Sequence, residues 1–196
     1  MPKRYVPMYR RRREGVTDYR ARYAMLKSGK IRLVVRRSNK YITVQFVEAK
    51  PEGDRTIVGV NSIVLKKYDW KLSCKNSMAA YLIGYLAGLK ALKKGVKEAI
   101  LDIGLRTSVK GCRIYCCLKG VLDAGIHVPH SPEILPDEDR IKGRILSEYY
   151  AKVMEENPEM LKKIFSQYNR LGVKPEDIPS MVDQVLENIR KEVGSS

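Results

Sequence analysis

Between Asn76 and Gly95 the chain carries its clearest helix, and the rest of the sequence has to cover it. Ala79, Leu82, Ile83, Leu86, Leu89 and Ala91 recur at helical spacing and give a mostly buried face. Asn76 suits the N-cap, where its side-chain oxygen can accept an otherwise orphaned backbone N–H. Lys90, Lys93 and Lys94 fall in the last turns, where cations complement the helix dipole, and Gly95 is placed to leave the helix. The segments on either side read as strands. Residues 32–37 are β-branched and end at the turn pair Ser38-Asn39, and residues 41–47 resume with β-formers, which is a hairpin pattern. A second turn at 51–55 leads into a third strand at 56–62, weakened by Gly59. After the helix, 98–103 is a short buried strand closed by Gly104. Ile114, Cys117, Leu118, Val121 and Leu122 then predict a second helix over 111–124, ending at Gly125. Residues 126–128, before Pro129, form the candidate last strand. The expected fold is α/β, a mixed sheet in the order β-β-β-α-β-α-β, which is ribonuclease-H-like.

Charge divides the chain into parts. Residues 1–50 carry fifteen Lys or Arg against three Asp or Glu, residues 51–130 thirteen against six, and residues 131–196 ten against thirteen. The whole chain stands at +16. Residues 1–30 read as a basic arm broken by Pro2, Pro7 and Gly15, with a short helix around 23–26, Thr17 or Asp18 near its N-cap and Gly29 at its end. Residues 31–132 are the α/β core. Residues 133–196 read as an acidic helical extension with amphipathic stretches at 137–157, 158–171 and 179–193.

The arm holds Arg10, Arg11, Arg12 and Arg13, followed by Tyr19, Arg20, Arg22 and Tyr23. A guanidinium pairs bidentately with phosphate, and a tyrosine ring offers a stacking face to an unstacked base, so the combination favours RNA. Anionic lipid fits less well, because the arm lacks the apolar face of a membrane-surface helix. Arg36, Arg37, Asn39 and Lys40, with Tyr41, make the hairpin tip a second RNA-contact candidate. Arg106 and Lys110, in the loop entering the second helix, stand between two readings, a phosphate contact and a plain turn.

Several chemistries find no support. A two-metal nuclease needs carboxylates on adjacent strands. The first strand offers only arginines, and Asp102 stands alone on the fourth, where a structural role as an arginine partner is expected. The 104–111 loop lacks the G-K-[ST] ending of a nucleotide-binding loop. His127 and His130 have no cysteine or paired carboxylate at ligand spacing. Cys74, Cys112, Cys116 and Cys117 show no C-x-x-C pattern and read as free thiols of a reducing cytoplasm. No apolar run approaches the roughly 18 residues of a membrane span, and Met1-Pro2-Lys3-Arg4 is no signal peptide. Tyr149 and Tyr150, among acidic neighbours, read as packing residues. No cofactor and no small-molecule substrate are expected, and the chain reads as no enzyme.

Residues 32–42 (Arg-Leu-Val-Val-Arg-Arg-Ser-Asn-Lys-Tyr-Ile) resemble the first hairpin of the large-subunit ribosomal protein eighteen family. Residues 79–92, 98–105, 118–120, 123–126 and 128–131 are similar to its archaeal form, in the expected order. The similarity covers about residues 5–150, and the helical tail resembles the extension of archaeal and eukaryotic members. The resemblance implies a ribonuclease-H-like fold without nuclease activity. It implies binding to 5S rRNA through the arm and the sheet side. It also implies a place in the central protuberance, beside 23S rRNA, ribosomal protein five and other proteins there. Against that stand an RNA-acting enzyme, disfavoured by the acid-free first strand, and an RNA chaperone outside the ribosome, which would not discriminate among RNAs.

Overall fold

The computed structural model describes residues 6–194, so the start Met1-Pro2-Lys3-Arg4 lies outside the described residues. The arm holds one helical turn, α1 (Arg10–Arg13), and a helix, α2 (Tyr19–Lys27). Of the two expected caps Asp18 serves. Its carboxylate accepts the backbone N–H groups of Arg20 at 2.9 Å and Ala21 at 3.1 Å, so the helix starts earlier than its apolar residues suggested.

β1 (Arg32–Arg37) and β2 (Ile42–Glu48) form the expected antiparallel hairpin, and β3 (Arg55–Asn61) pairs with β2 across a bulge at Phe46/Val47. Ser38 closes the hairpin turn, its hydroxyl accepting the N–H of Tyr41 at 2.9 Å. Ser62, expected in the third strand, instead opens a 3-10 helix over Ser62–Tyr68, and its buried hydroxyl accepts the N–H of Ile42 at 2.9 Å. This 3-10 segment carries no helical repeat and was not expected. It buries Leu65 and Tyr68 and delivers Trp70, only 2% exposed, to the core.

α3 (Ser77–Lys93) begins at the expected cap, with the Asn76 side chain accepting the N–H of Ala79 at 2.7 Å. It is buried on nearly every side and forms the axis of the molecule. β4 (Ile100–Asp102) lies parallel to β1, giving the sheet order β3-β2-β1-β4. α4 (Arg113–Asp123) follows and packs against α3 with backbones nearly in contact. A Cβ on Gly84 would strike the Cys117 carbonyl, one on Gly120 would strike the Tyr81 carbonyl, and one on Gly88 would stand 2.6 Å from the Ala124 methyl. Only glycine permits so close a crossing.

The last expected strand is not formed. Residues 126–128 make one isolated parallel bridge, Glu98 to His127. His127 donates to the Lys97 carbonyl at 2.9 Å and accepts from Ala99 at 3.0 Å. The next rung of a parallel ladder would need an N–H at position 129, and Pro129 has none. The strand expected over 98–103 is shorter, limited to the three residues of β4 that pair with β1. The sheet therefore has four strands among the described residues, in a mixed α/β arrangement.

The stretch expected at 137–157 is two helices, α5 (Glu138–Lys142) and α6 (Arg144–Glu156), parted by Gly143 at φ 78°. A side chain there would also press on Met78 Sδ and Ile178 Cγ2, at 2.7 and 2.8 Å. The stretch at 158–171 divides at Phe165 into α7 (Pro158–Ile164) and α8 (Ser166–Leu171). Tyr149, Tyr150 and Tyr168 surround buried Phe165 at ring distances of 6.2, 5.1 and 5.6 Å, so the tyrosine pair packs as expected. The last helix, α9 (Ile178–Gly194), sends Ile178, Val182, Val185 and Ile189 into the same core as the sheet and α3. Arg190 ties it down, donating from Nε to the Tyr85 hydroxyl at 2.9 Å with its guanidinium over the ring.

Candidate nucleic-acid interface

Strand alternation gives the sheet two faces. Leu33 and Val35 of β1, with Val44 and Phe46 of β2, turn to the helices and are buried. Arg32, Val34 and Arg36 alternate with them and turn to the other face. The arm lies over that face. Between them runs a groove of about 670 Å³, with Ala21 and Met25 of α2 on one wall and Val34, Gln45 and Val47 of the sheet on the other. Six arginines reach it: Arg11, Arg22, Arg32, Arg36, Arg37 and Arg106.

Three carboxylates line this groove; Asp18 caps α2, and the other two bind its arginines. Asp102 serves as the arginine partner expected of it. Its Oδ1 accepts from Arg36 Nη2 at 2.7 Å and from the Gly104 N–H at 2.9 Å, and its Oδ2 accepts from Arg32 Nη1 at 3.2 Å. Asp54, in the turn between β2 and β3, receives Arg22 Nη2 at 2.8 Å and Arg32 Nη2 at 2.6 Å, both on Oδ2. Partial burial pulls the Asp54 carboxyl up, but the Arg32 and Arg22 guanidiniums outweigh it and hold the group below its ordinary value of 3.8. Arg32 itself is 3% exposed, and its Nε is the one buried side-chain polar atom without a partner among the described residues.

The expected site residues fall into separate places. Arg11, Arg22, Arg36, Arg37 and Arg106 converge on the groove. Within it Arg11 donates from Nε to the Thr17 hydroxyl at 2.9 Å, and Arg36 also donates to the Asp102 carbonyl at 2.6 Å. Arg10, Arg12, Arg13 and Arg20 are exposed on the arm outside the groove. Arg10 reaches Glu14 at 3.5 Å, and the Tyr19 ring leans on Tyr9 at 5.2 Å. Asn39 and Lys40 are exposed at the hairpin turn beyond the groove's end. Lys110 is drawn to Glu133 at 3.2 Å at the far end of its loop, away from Arg106. Among the described residues Arg12, Arg13, Arg20, Arg37, Lys40 and Arg106 make no side-chain hydrogen bond or ion pair.

Sequence reasoning passed over Arg32 and Asp54. The spacing of Arg32 and Arg36 along a strand places both on one face, and that was a readable signal. Asp54 gave none, because only the β2–β3 register brings its turn beneath β1. Among the described residues no group of three or more His, Cys, Asp or Glu is placed to hold a metal ion, and no helix is long and apolar enough to cross a membrane. Burial pushes the Cys116 thiol up to about 11 and the Cys117 thiol higher still, so neither is a reactive thiolate.

Over residues 3–98 and 93–131 the sequence matches the family described as ribosomal large subunit proteins 60S L5, and 50S L18. It is 55% identical over 186 residues to the large ribosomal subunit protein uL18 of Korarchaeum cryptofilum, covering 95% of this chain and 94% of that protein. It is 48% identical to the uL18 of Aeropyrum pernix over 97% of this chain and 89% of that protein. It is 46% identical to that of Methanothermobacter thermautotrophicus over 97% of each. These alignments extend through the C-terminal helices.

Proposed function

The chain belongs to the family of ribosomal large subunit proteins 60S L5 and 50S L18, and from that premise we propose that it is a structural constituent of the large ribosomal subunit that binds 5S rRNA. It helps attach 5S rRNA to 23S rRNA in the central protuberance, beside ribosomal protein five, in the cytoplasmic ribosome. The observation that carries the RNA reading is the convergence of six arginines from the arm, β1 and the β4–α4 loop on the outer face of the sheet. These groups come from three separate parts of the sequence and meet only in the fold.

The strand order β3-β2-β1-β4, with a parallel bridge at the β4 edge, is read as the ribonuclease-H-like arrangement with its fifth strand reduced to one rung. The carboxylates that nuclease chemistry would use are absent from β1, and Asp102 is engaged by arginine. The protein acts by holding RNA. Arg10, Arg12, Arg13 and Arg20 neutralise backbone phosphates, Tyr19 and Asn39 contact bases or sugar, and Arg36, Arg37, Lys40 and Arg106 extend the contact along the sheet. Lys110 belongs to the RNA surface only if its Glu133 partner is given up.

Chemical footprinting of purified 5S rRNA with and without the protein, in the presence of excess tRNA, tests the reading. A discrete protected region that survives the competitor is expected. Protection abolished by tRNA would instead favour an unspecific RNA chaperone.

A further inference from the structure

The Asp54 carboxylate sits where two arginines of the groove converge, yet it uses them poorly. Both guanidiniums donate to the same oxygen, Oδ2, and among the described residues nothing donates to Oδ1. The forked, two-oxygen pairing that makes arginine–carboxylate contacts strong is therefore not made. Arg32 has a further N–H, at Nε, with no acceptor. The two carboxylates of the network also differ in their freedom. Asp102 has a side chain 5% exposed and is fixed by three donors, whereas the Asp54 side chain is 30% exposed and sits on a surface turn between strands.

We propose that Arg22 and Arg32 form a binding site for a single phosphate group, with Asp54 as a built-in stand-in that the phosphate displaces. This rests on the RNA reading above and adds to it a site and a latch. Without RNA, Asp54 neutralises the pair and holds the arm to the sheet through Arg22. When a backbone phosphate arrives, its two free oxygens take the two guanidiniums, and the Asp54 turn swings into solvent. The arm stays docked because the phosphate now bridges α2 and β1. Arg32, buried and absent from the surface arginines, becomes a phosphate contact that Asp54 uncovers.

The test compares Asp54→Asn with Glu52→Gln, a substitution in the same turn that changes net charge equally at an exposed residue. Binding of 5S rRNA and of tRNA is measured at three salt concentrations. The site predicts that Asp54→Asn tightens RNA binding about five-fold more than Glu52→Gln. Inorganic phosphate, titrated at constant ionic strength, should shift the Arg22 and Arg32 side-chain N–H resonances saturably in Asp54→Asn and not in the unmutated protein. Equal gains from the two variants, with no phosphate response, would overturn the site and leave the RNA reading standing. A protein that prefers 5S rRNA no more than tRNA would overturn that reading while the comparison of variants still decides the site. In the unmutated protein, RNA should move the Asp54 carboxyl carbon resonance. If it stays fixed while the α2 amides respond, the carboxylate is no stand-in.

Discussion

The two faces of the sheet are made from the same alternating strands and are held by opposite means. Towards α3 and α4, shape decides everything. Gly84 and Gly120 let two helix backbones touch, and Leu33, Val35, Val44 and Phe46 are closed in with at most 1% exposure. Towards the arm, charge decides. Arg22, Arg32 and Arg36 share two carboxylates between them in a groove open to water. A packed face has one arrangement, because each atom's place is fixed by its neighbours. A face of ion pairs has several arrangements of similar energy, because guanidiniums can exchange one anion for another. The molecule thus keeps close packing on one side of a single sheet and exchangeable ion pairs on the other.

The largest effect that would sharpen this contrast is Gly120→Ala. The added methyl meets the Tyr81 carbonyl, so backbone must move, and overpacking of this kind costs about 3 kcal/mol. Urea denaturation is expected to show that loss, with the salt slope of RNA binding unchanged wherever the protein is folded. A fully tolerated alanine would mean that the helical face is not the rigid one. The double change Arg11→Ala, Arg12→Ala works on the opposite face. It should flatten the salt slope by about one to two units and weaken 5S rRNA and tRNA alike, while leaving the urea midpoint nearly unmoved.

Acidification separates the faces more gently. The paired Asp54 carboxyl lies below its usual 3.8 in the folded protein. Its contribution to arm docking is therefore complete at pH values above that figure and is lost only as pH falls through the lowered value. The protection factors of the α2 amides, with the intrinsic pH dependence of exchange divided out, should hold from pH 7 to pH 5 and fall only below pH 3.8. Asp54→Asn should remove that acid step. Release of the arm between pH 7 and 5 would break the assignment. The smallest effect belongs to Asn39→Ala at the hairpin turn. It should leave the salt slope intact and narrow the gap in affinity between 5S rRNA and tRNA, since an amide reads edges and a charge reads phosphate. If discrimination is untouched, the turn is only a turn.

The first hairpin, α3 and α4 were legible because periodicity and end signals agreed: the Asn76 cap, the Gly95 exit and the stripe from Ile114 to Leu122. The last strand was not, because three apolar residues before a proline look the same whether or not a ladder forms, and the missing N–H of Pro129 matters only beside Ala99. The break at Gly143 escaped notice because glycine within an apolar repeat can be tolerated or obligatory, and contact with Met78 and Ile178 decides which. On the candidate site, arginine-rich segments stood out by composition. Their convergence did not, since Arg106 and Arg11 reach one groove only through the parallel pairing of β4 with β1 and the folding back of the arm. Arg32 was hidden by looking like its neighbours in a run of strand residues.

The rung cut short at Pro129 also bears on how the sheet ends. A sheet with open margins invites a second copy to add its own strand. At the β4 margin, a three-residue strand and a proline leave almost nothing to pair with. At the β3 margin, Lys94 reaches across from the end of α3 and takes the Ile57 carbonyl at 2.5 Å. Each margin of the sheet thus carries a feature that hinders strand addition, the missing N–H of Pro129 at one and the carbonyl taken by Lys94 at the other.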